Sequence, residues 1–259
     1  MNGDYGNQNA SNLSAQGHRS PDGAPADIVL FTMTSSRRSS AKKSLPVREL
    51  QVLLVRRKYE PFEGLWALPG GFCEESESVY ECARRELKEE TGIDGIHLEY
   101  LNVYSEPGRD PRGWMISHAF CALVREERLM KRRAADDASD VRLFPVSEAL
   151  EMTLAFDHRA MLRDALEHVR GRMLTTTIAR QFLPEEFTIS ELYQVIETVV
   201  PEFEDQNFIR KVTSTQSRKG ILEEVRDRNG ERKMSNRYSQ RFAQLYRFTE
   251  RQPKLSIYS

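Results

Sequence analysis

Glu86, Glu89 and Glu90 stand where a helix would bring them onto one strip: the first and last are four residues apart, the first two three apart. Carboxylates so close repel one another. A hard divalent cation, Mg2+ or Mn2+, removes the repulsion and takes oxygen ligands in return. A cation held there clamps a diphosphate, orients it and makes a bound water a better nucleophile, and one of Glu86, Glu89 and Glu90 then serves as general base. Gly70 and Gly71 lie just upstream, and a glycine backbone can approach both metal and phosphate, which places Gly71 with the metal residues. Arg85 can pair with Glu77 and fix the start of the helix. A solvated acidic helix is the plainer reading, but it leaves the glycine pair, the arginine and the full spacing unexplained together.

A second set of candidates lies in Pro107-Gly108-Arg109-Asp110-Pro111-Arg112-Gly113-Trp114, just before an expected strand. Arg109 and Arg112 can reach phosphates from a Gly/Pro-rich loop, and Trp114 can stack on a base. Taken alone, a tight surface loop with a core tryptophan is the more ordinary account. His118 reads as a core or pocket-wall residue, and Cys73 as a small filler.

The elements that must position these groups follow from pattern. Residues 1–25 are rich in Asn, Ser, Gly and Gln and are expected to be a disordered tail. Strands are expected at Ile28–Phe31, Val47–Arg57, Trp66–Leu68, Ile96–Tyr104, Trp114–Val124 and Val141–Val146. Between them come a loop at Ser35–Leu45, the glutamate helix over roughly 77–92 with Gly92 as its C-cap, and a charged insertion at Arg125–Ser139. This first domain spans 26–153, and a connecting helix capped by Asp157 spans 154–174. The remainder, 175–259, turns helical and then extended: Thr175–Phe182, a helix from Thr188 or Ser190 to Val200, one from Asp205 to Gln216, a strand start at Ile221-Leu222, a polar loop, and a strand at Ala243–Phe248.

Charge changes sign within this last region. Arg172–Asp205 carries 2 basic and 7 acidic residues, whereas Gln206–Ser259 carries 13 basic and 5 acidic. The order helix, helix, strand, loop, strand fits a winged helix. On the helix after Asp205, Phe208 and Val212 face inward, while Asn207, Arg210, Lys211 and Ser214 follow i, i+3, i+4, i+7 outward. Such a face suits the major groove, with Arg and Asn reading bases and Lys and Ser holding phosphates. Arg226, Arg228, Arg232, Lys233, Arg237 and Arg241 populate the following loop, a wing that can track the backbone of double-stranded DNA. A dimerisation or capping domain with solvated charges is the competing account.

The three cysteines form neither a C-x-x-C pair nor a zinc-like cluster, which suits a reducing cytoplasm. No apolar run approaches a membrane span and no signal peptide is visible, so no membrane partner is expected.

The run Gly71-x5-Glu77-x7-Arg85-Glu86-Leu87-x-Glu89-Glu90-x-Gly92-Ile93 resembles the Nudix box of the Nudix superfamily, with every fixed position filled. The resemblance implies an α/β/α sandwich with a mixed sheet, metal ligands at Glu86 and Glu90 with Glu89 and Glu77 in support, and nucleoside diphosphates linked to another group as ligands. The D-P-R-G loop resembles members that handle ADP-ribose and its relatives, and Arg56 and Arg57 resemble a further substrate-facing pair, though strand-end charges look the same. The stretches Leu154–His158, Leu183–Thr188, Asp205–Lys211 and Gln244–Phe248 resemble the bacterial Nudix-related transcriptional regulators of NAD metabolism. That resemblance implies a homodimer whose winged helix binds a palindromic operator and is released by ADP-ribose or a related NAD metabolite, or in some members a sugar. Many such regulators have a decayed box. The box here is intact, so an ADP-ribose pyrophosphatase with an accessory domain stands as the alternative. A hydrolase of RNA-linked nucleotides ranks last, since the basic region has little aromatic interleaving for stacking.

Overall fold

The computed structural model of the chain describes residues 20–36, 44–129, 141–204 and 220–250. The first part is built on a seven-stranded mixed sheet. It comprises β1 (Pro25–Ser36), β2 (Val47–Arg56), β3 (Trp66–Ala67), β4 (Gly70–Phe72), helix α1 (Val79–Thr91), β5 (Glu99–Tyr104), β6 (Ser117–Val124), the single turn α2 (Glu126–Leu129), β7 (Val141–Pro145) and α3 (Val146–Glu151). The main path runs β3-β2-β1-β6-β5, with β4 added to β1 and β7 to β2. The central strand β1 pairs antiparallel with β2 and parallel with β6, Ala26 opposite His118.

Because successive side chains of a strand point to opposite faces, β1 feeds two cores. Ile28 and Leu30 pack with Cys82, Ala83 and Leu87 of α1. Val29, Phe31 and Met33 pack on the other face, against Met161, Leu162 and Ala165 of the long helix α4 (His158–Thr175). The result is the expected α/β/α sandwich. The strand is buried on both sides from Pro25 to Met33, which is why its sequence reads as a continuous apolar run rather than an alternation.

After α4 come a 3-10 turn (Ile178–Phe182), α5 (Ile189–Val199) and four short strands: β8 (Leu222–Glu224), β9 (Met234–Ser235), β10 (Ala243–Gln244) and β11 (Tyr246–Phe248). β8 pairs with β11 and β9 with β10, both antiparallel, giving the ribbon of a winged helix. A capping box starts α5: Thr188 accepts from the Glu191 amide while Glu191 reaches back to Thr188. Leu192, Val195 and Ile196 of α5 belong to the same hydrophobic cluster as Val29 and Phe31 of the sheet. Arg48 of β2 donates to Gln194 Oε1 at 3.2 Å and to the Phe182 carbonyl, and Gln194 donates to the Pro46 carbonyl. The two parts therefore share one core.

Several boundaries shift from expectation. β1 continues through Ser35 and Ser36, which the pairing with Val47 and Arg48 holds in register. β5 begins at Glu99 and β6 at Ser117, later than the apolar patterns suggest. The segment expected as one helix over Thr175–Phe182 is the last residue of α4 followed by a 3-10 turn. The strand expected at Ala243–Phe248 is divided between two pairs, because the chain crosses from β9 to β8 at Leu245. The tail up to residue 19, residues 37–43 of the basic loop, residues 130–140 of the insertion, and the helix expected from Asp205 to Gln216, with Asn207, Arg210, Lys211 and Ser214, lie outside the described residues. No helix among the described residues is long and apolar enough to cross a membrane.

Candidate functional site

The glutamate helix is fixed at both ends by its own sequence. Ser78 accepts from the Glu81 amide and Glu81 Oε2 accepts from the Ser78 amide at 2.8 Å, a capping box. At the other end Gly92 takes φ 70°, the left-handed turn that glycine adopts without a Cβ clash, and its amide donates to the Lys88 carbonyl. Cys82, Ala83, Leu87 and Thr91 face the sheet, which turns Glu86, Glu89 and Glu90 toward the mouth of a cavity of about 370 Å³.

Arg85 organises this strip. Its fork grips Glu77 through Nε–Oε2 at 3.0 Å and an NH2–Oε1 bond of 2.6 Å, while NH1 reaches Glu86 at 2.7 Å and Glu89 at 3.2 Å. Those bonds hold Glu77 down at a pKa of about 2. Glu90 points inward and accepts from the Gly70 amide at 2.9 Å. Burial pushes Glu90 up to about 8 despite that bond, and burial also raises Glu86. Gly71 lies directly under Glu86: a Cβ there would come within 2.4 Å of its carboxylate. Among the described residues no group of three or more His, Cys, Asp or Glu side chains stands as a ready metal-holding cluster, since Arg85 draws Glu86 and Glu89 toward itself.

The opposite wall is basic and aromatic. Arg56, Arg57, Lys58, Arg109 and Arg112 all line the cavity. Arg56 donates to the Gly64 carbonyl, and Arg57 to the carbonyls of Pro61 and Tyr59, so this pair also shapes the loop after β2. Burial, and after it the nearby Arg112, lowers the Arg57 pKa. Arg112 sits 4.8 Å over the Phe72 ring and 5.3 Å over Phe156, and Arg57 sits 4.8 Å over the same Phe156. Asp110 steadies Arg112 with a fork of hydrogen bonds. Arg109 is nearly sealed, its side chain 3 % exposed, and its guanidinium is spent on Asp157 in a bidentate pair at 2.9 and 2.7 Å. It is a positioning residue in this arrangement. Trp114 does not line the cavity: it is 40 % exposed and its amide donates to Asp22.

Several cavity residues escaped the sequence reading of the site, Phe156, His158 and Asp27 among them. Phe156 holds φ 52°, a left-handed conformation that costs a bulky residue about 1–3 kcal/mol and often marks functional positions. His158 opens α4; its Nδ1 accepts from the Leu68 amide at 2.9 Å and its Nε2 lies 3.5 Å from Asp27. Burial lowers the His158 pKa. Asp27, on β1, also accepts from Ser117. The signal was present in the Leu154–His158 stretch, but only as a likeness. Asp157 was expected as a helix cap; it sits at the cap position of α4 without a capping bond, its carboxylate being held by Arg109.

On the wing, the five arginines and one lysine expected to meet DNA are all exposed. Arg226 and Arg232 converge on Glu224, at 3.3 and 3.1 Å, and Lys233 pairs with Glu186 at 2.6 Å. Arg237 lies over Tyr238.

Comparison with known proteins follows the same division. Residues 44–165 match the NUDIX domain model, and residues 179–248 match the NrtR DNA-binding winged helix domain model. The ADPR responsive transcriptional repressor NtrR of Acinetobacter baylyi is 32 % identical over 203 residues, 77 % of this chain and 76 % of that protein. The ADP-ribose pyrophosphatase of Methanocaldococcus jannaschii is 41 % identical over 124 residues, 48 % of this chain and 70 % of that protein. The crystal structure of Shewanella oneidensis NrtR complexed with a 27mer DNA superposes with a TM-score of 0.67 at 28 % identity, covering 90 % of this chain and 98 % of that one.

Proposed function

Because the chain belongs to the Nudix-domain transcriptional regulators with an NrtR winged helix, we propose that it is a repressor that holds duplex DNA through that winged helix and lets go when ADP-ribose, or a closely related NAD metabolite, fills the Nudix cavity. The observation that carries this reading is the continuous core between cavity and winged helix. Helix α4 begins in the cavity wall at His158 and shares its packed face with α5. A ligand can shift DNA affinity only if the two states differ in how they bind it, and a shared rigid element is what transmits such a difference.

The cavity suits a diphosphate joined to a nucleoside. Arg56, Arg57 and Arg112 offer charge to phosphate oxygens, and Phe156 and Phe72 offer ring faces. Magnesium or manganese fits the acidic wall: Glu86 and Glu90 are half-buried carboxylates raised chiefly by burial, and a bound cation would favour their charged form. Glu86 and Glu90, supported by Glu89, Glu77 and the Gly71 backbone, would hold it, and a bound cation would neutralise the diphosphate. By the same family likeness the protein acts in the cytoplasm as a homodimer on a palindromic operator near genes of NAD metabolism, with Asn207 and Arg210 on the bases, Lys211 and Ser214 on the phosphates, and Arg226, Arg228, Arg232, Lys233 and Arg237 along the backbone.

The test is duplex binding to upstream fragments of its own operon and of NAD-biosynthesis genes, with ADP-ribose and magnesium titrated in. Specific binding weakened by ADP-ribose is expected; no specific duplex in a shift assay sinks the proposal. One observation favours a second reading, Mg2+-dependent hydrolysis of ADP-ribose: the glutamate set is complete. AMP release in the same tubes, abolished in Glu89→Gln or Glu90→Gln, decides it.

A further inference from the structure

A second cavity, of about 850 Å³, lies between the outer end of β5 and β6, the C-terminal half of α4 and the 3-10 turn that opens the winged helix. It shares no lining residue with the Nudix cavity. Its charge is lopsided: Arg125, Arg128, Arg172 and Arg180 face Glu99 and Glu127. Glu99 reaches Arg172 NH1 at 3.0 Å and lies 3.6 Å from His168 Nε2. Even so, the inner Nε of Arg172 and Nε2 of His168 are buried without a hydrogen-bond partner. Buried polar groups in native proteins are nearly always satisfied, so two polar nitrogens left without a partner in the wall of one cavity mark a wall short of acceptors. Arg180 is taken up at the rim by Glu250, and its carbonyl accepts from Arg125. Among the described residues Arg128 is in no ion pair.

We propose that this cavity is a second ligand site, for a phosphorylated metabolite of nucleotide size, whose phosphate bridges Arg172 and Arg128 with His168 as a further donor. The volume is in the range of small-molecule sites. An oxyanion matches the planar fork of arginine and supplies the acceptors that Arg172 and His168 lack. The walls come from both halves of the molecule, Arg172 from the connecting helix and Ile178 and Arg180 from the winged helix, so an occupant touches the junction itself. This inference does not rest on the ADP-ribose reading of the Nudix cavity.

Calorimetric titration of the full chain, free of divalent metal, tests it with two probes, inorganic phosphate and AMP. Both are expected to bind, AMP at least about tenfold more tightly, since the nucleoside fills volume that phosphate leaves open. Arg172→Gln should weaken AMP about tenfold. Because Arg172 also holds Glu99, the exposed Arg128→Ala is the companion variant and should act in the same direction without loss of fold. Arg112→Ala, in the Nudix cavity, should leave this binding unchanged. No heat with either probe at millimolar concentration, no gain of AMP over phosphate, or a loss confined to Arg112→Ala would each overturn the proposal.

Discussion

Of the single residues, Gly71 is the sharpest test of the acidic wall. Its missing Cβ is the space in which the Glu86 carboxylate rests. The atoms in the way are the far end of a flexible side chain, so Gly71→Ala need not unfold anything; Glu86 swings aside instead. The expected outcome is a melting temperature close to wild type with Mg2+-dependent ADP-ribose binding weakened at least about tenfold, a cost near 1.4 kcal/mol. Calorimetry with and without magnesium reads it. Full affinity in Gly71→Ala would mean that Glu86 is not held where the ligand needs it. Arg85 belongs to the same logic, for its fork keeps Glu77, Glu86 and Glu89 together while no cation competes for them.

Among the elements, the glutamate helix was readable because everything that defines it is local. Its strip, its arginine clasp to Glu77 and its glycine stop fall within about twenty residues, and helical spacing alone sets them side by side. The other wall was only half readable, because its contacts span the chain. His158 meets Leu68 ninety residues away, and Arg109 meets Asp157 across forty-eight. No periodicity announces such pairs; the packing of α4 on the sheet creates them. Arg109 and Asp157 were each assigned a sensible role of their own, phosphate binder and helix cap, and the fold gave them to one another. That pair pins the start of α4 to the D-P-R-G loop. Asp157→Ala leaves a nearly buried guanidinium without its counter-charge, and removing one partner of a buried pair costs about 3 kcal/mol or more. Thermal or denaturant unfolding should show a loss of roughly that size. A change under about 1 kcal/mol would mean that Arg109 finds water or another acceptor, as exposed pairs do.

For the molecule as a whole, what matters is that cavity and winged helix are parts of one packed body. Loosely tethered domains would bind ligand and DNA independently, whereas coupling between sites needs an element that both sites bias. The most direct polar tie across the junction is Arg48 on β2 with Gln194 on α5, backed by the Phe182 and Pro46 carbonyls. Neither residue lines the Nudix cavity. Arg48→Ala combined with Gln194→Ala should therefore leave ADP-ribose affinity and DNA affinity, each measured alone, nearly as they were. What should fall is the factor by which one ligand weakens the other. Couplings of this kind are typically about 5- to 150-fold, and the double variant should bring the factor several-fold closer to one. Shift assays at saturating and zero ADP-ribose, paired with calorimetry on free protein and on the DNA complex, give the factor from both directions, and linkage requires the two to agree. An unchanged factor would place the transmission in the apolar face of α4 and α5, where Leu162, Ala165 and Val195 are packed into the common core, and not in the polar tie at its edge.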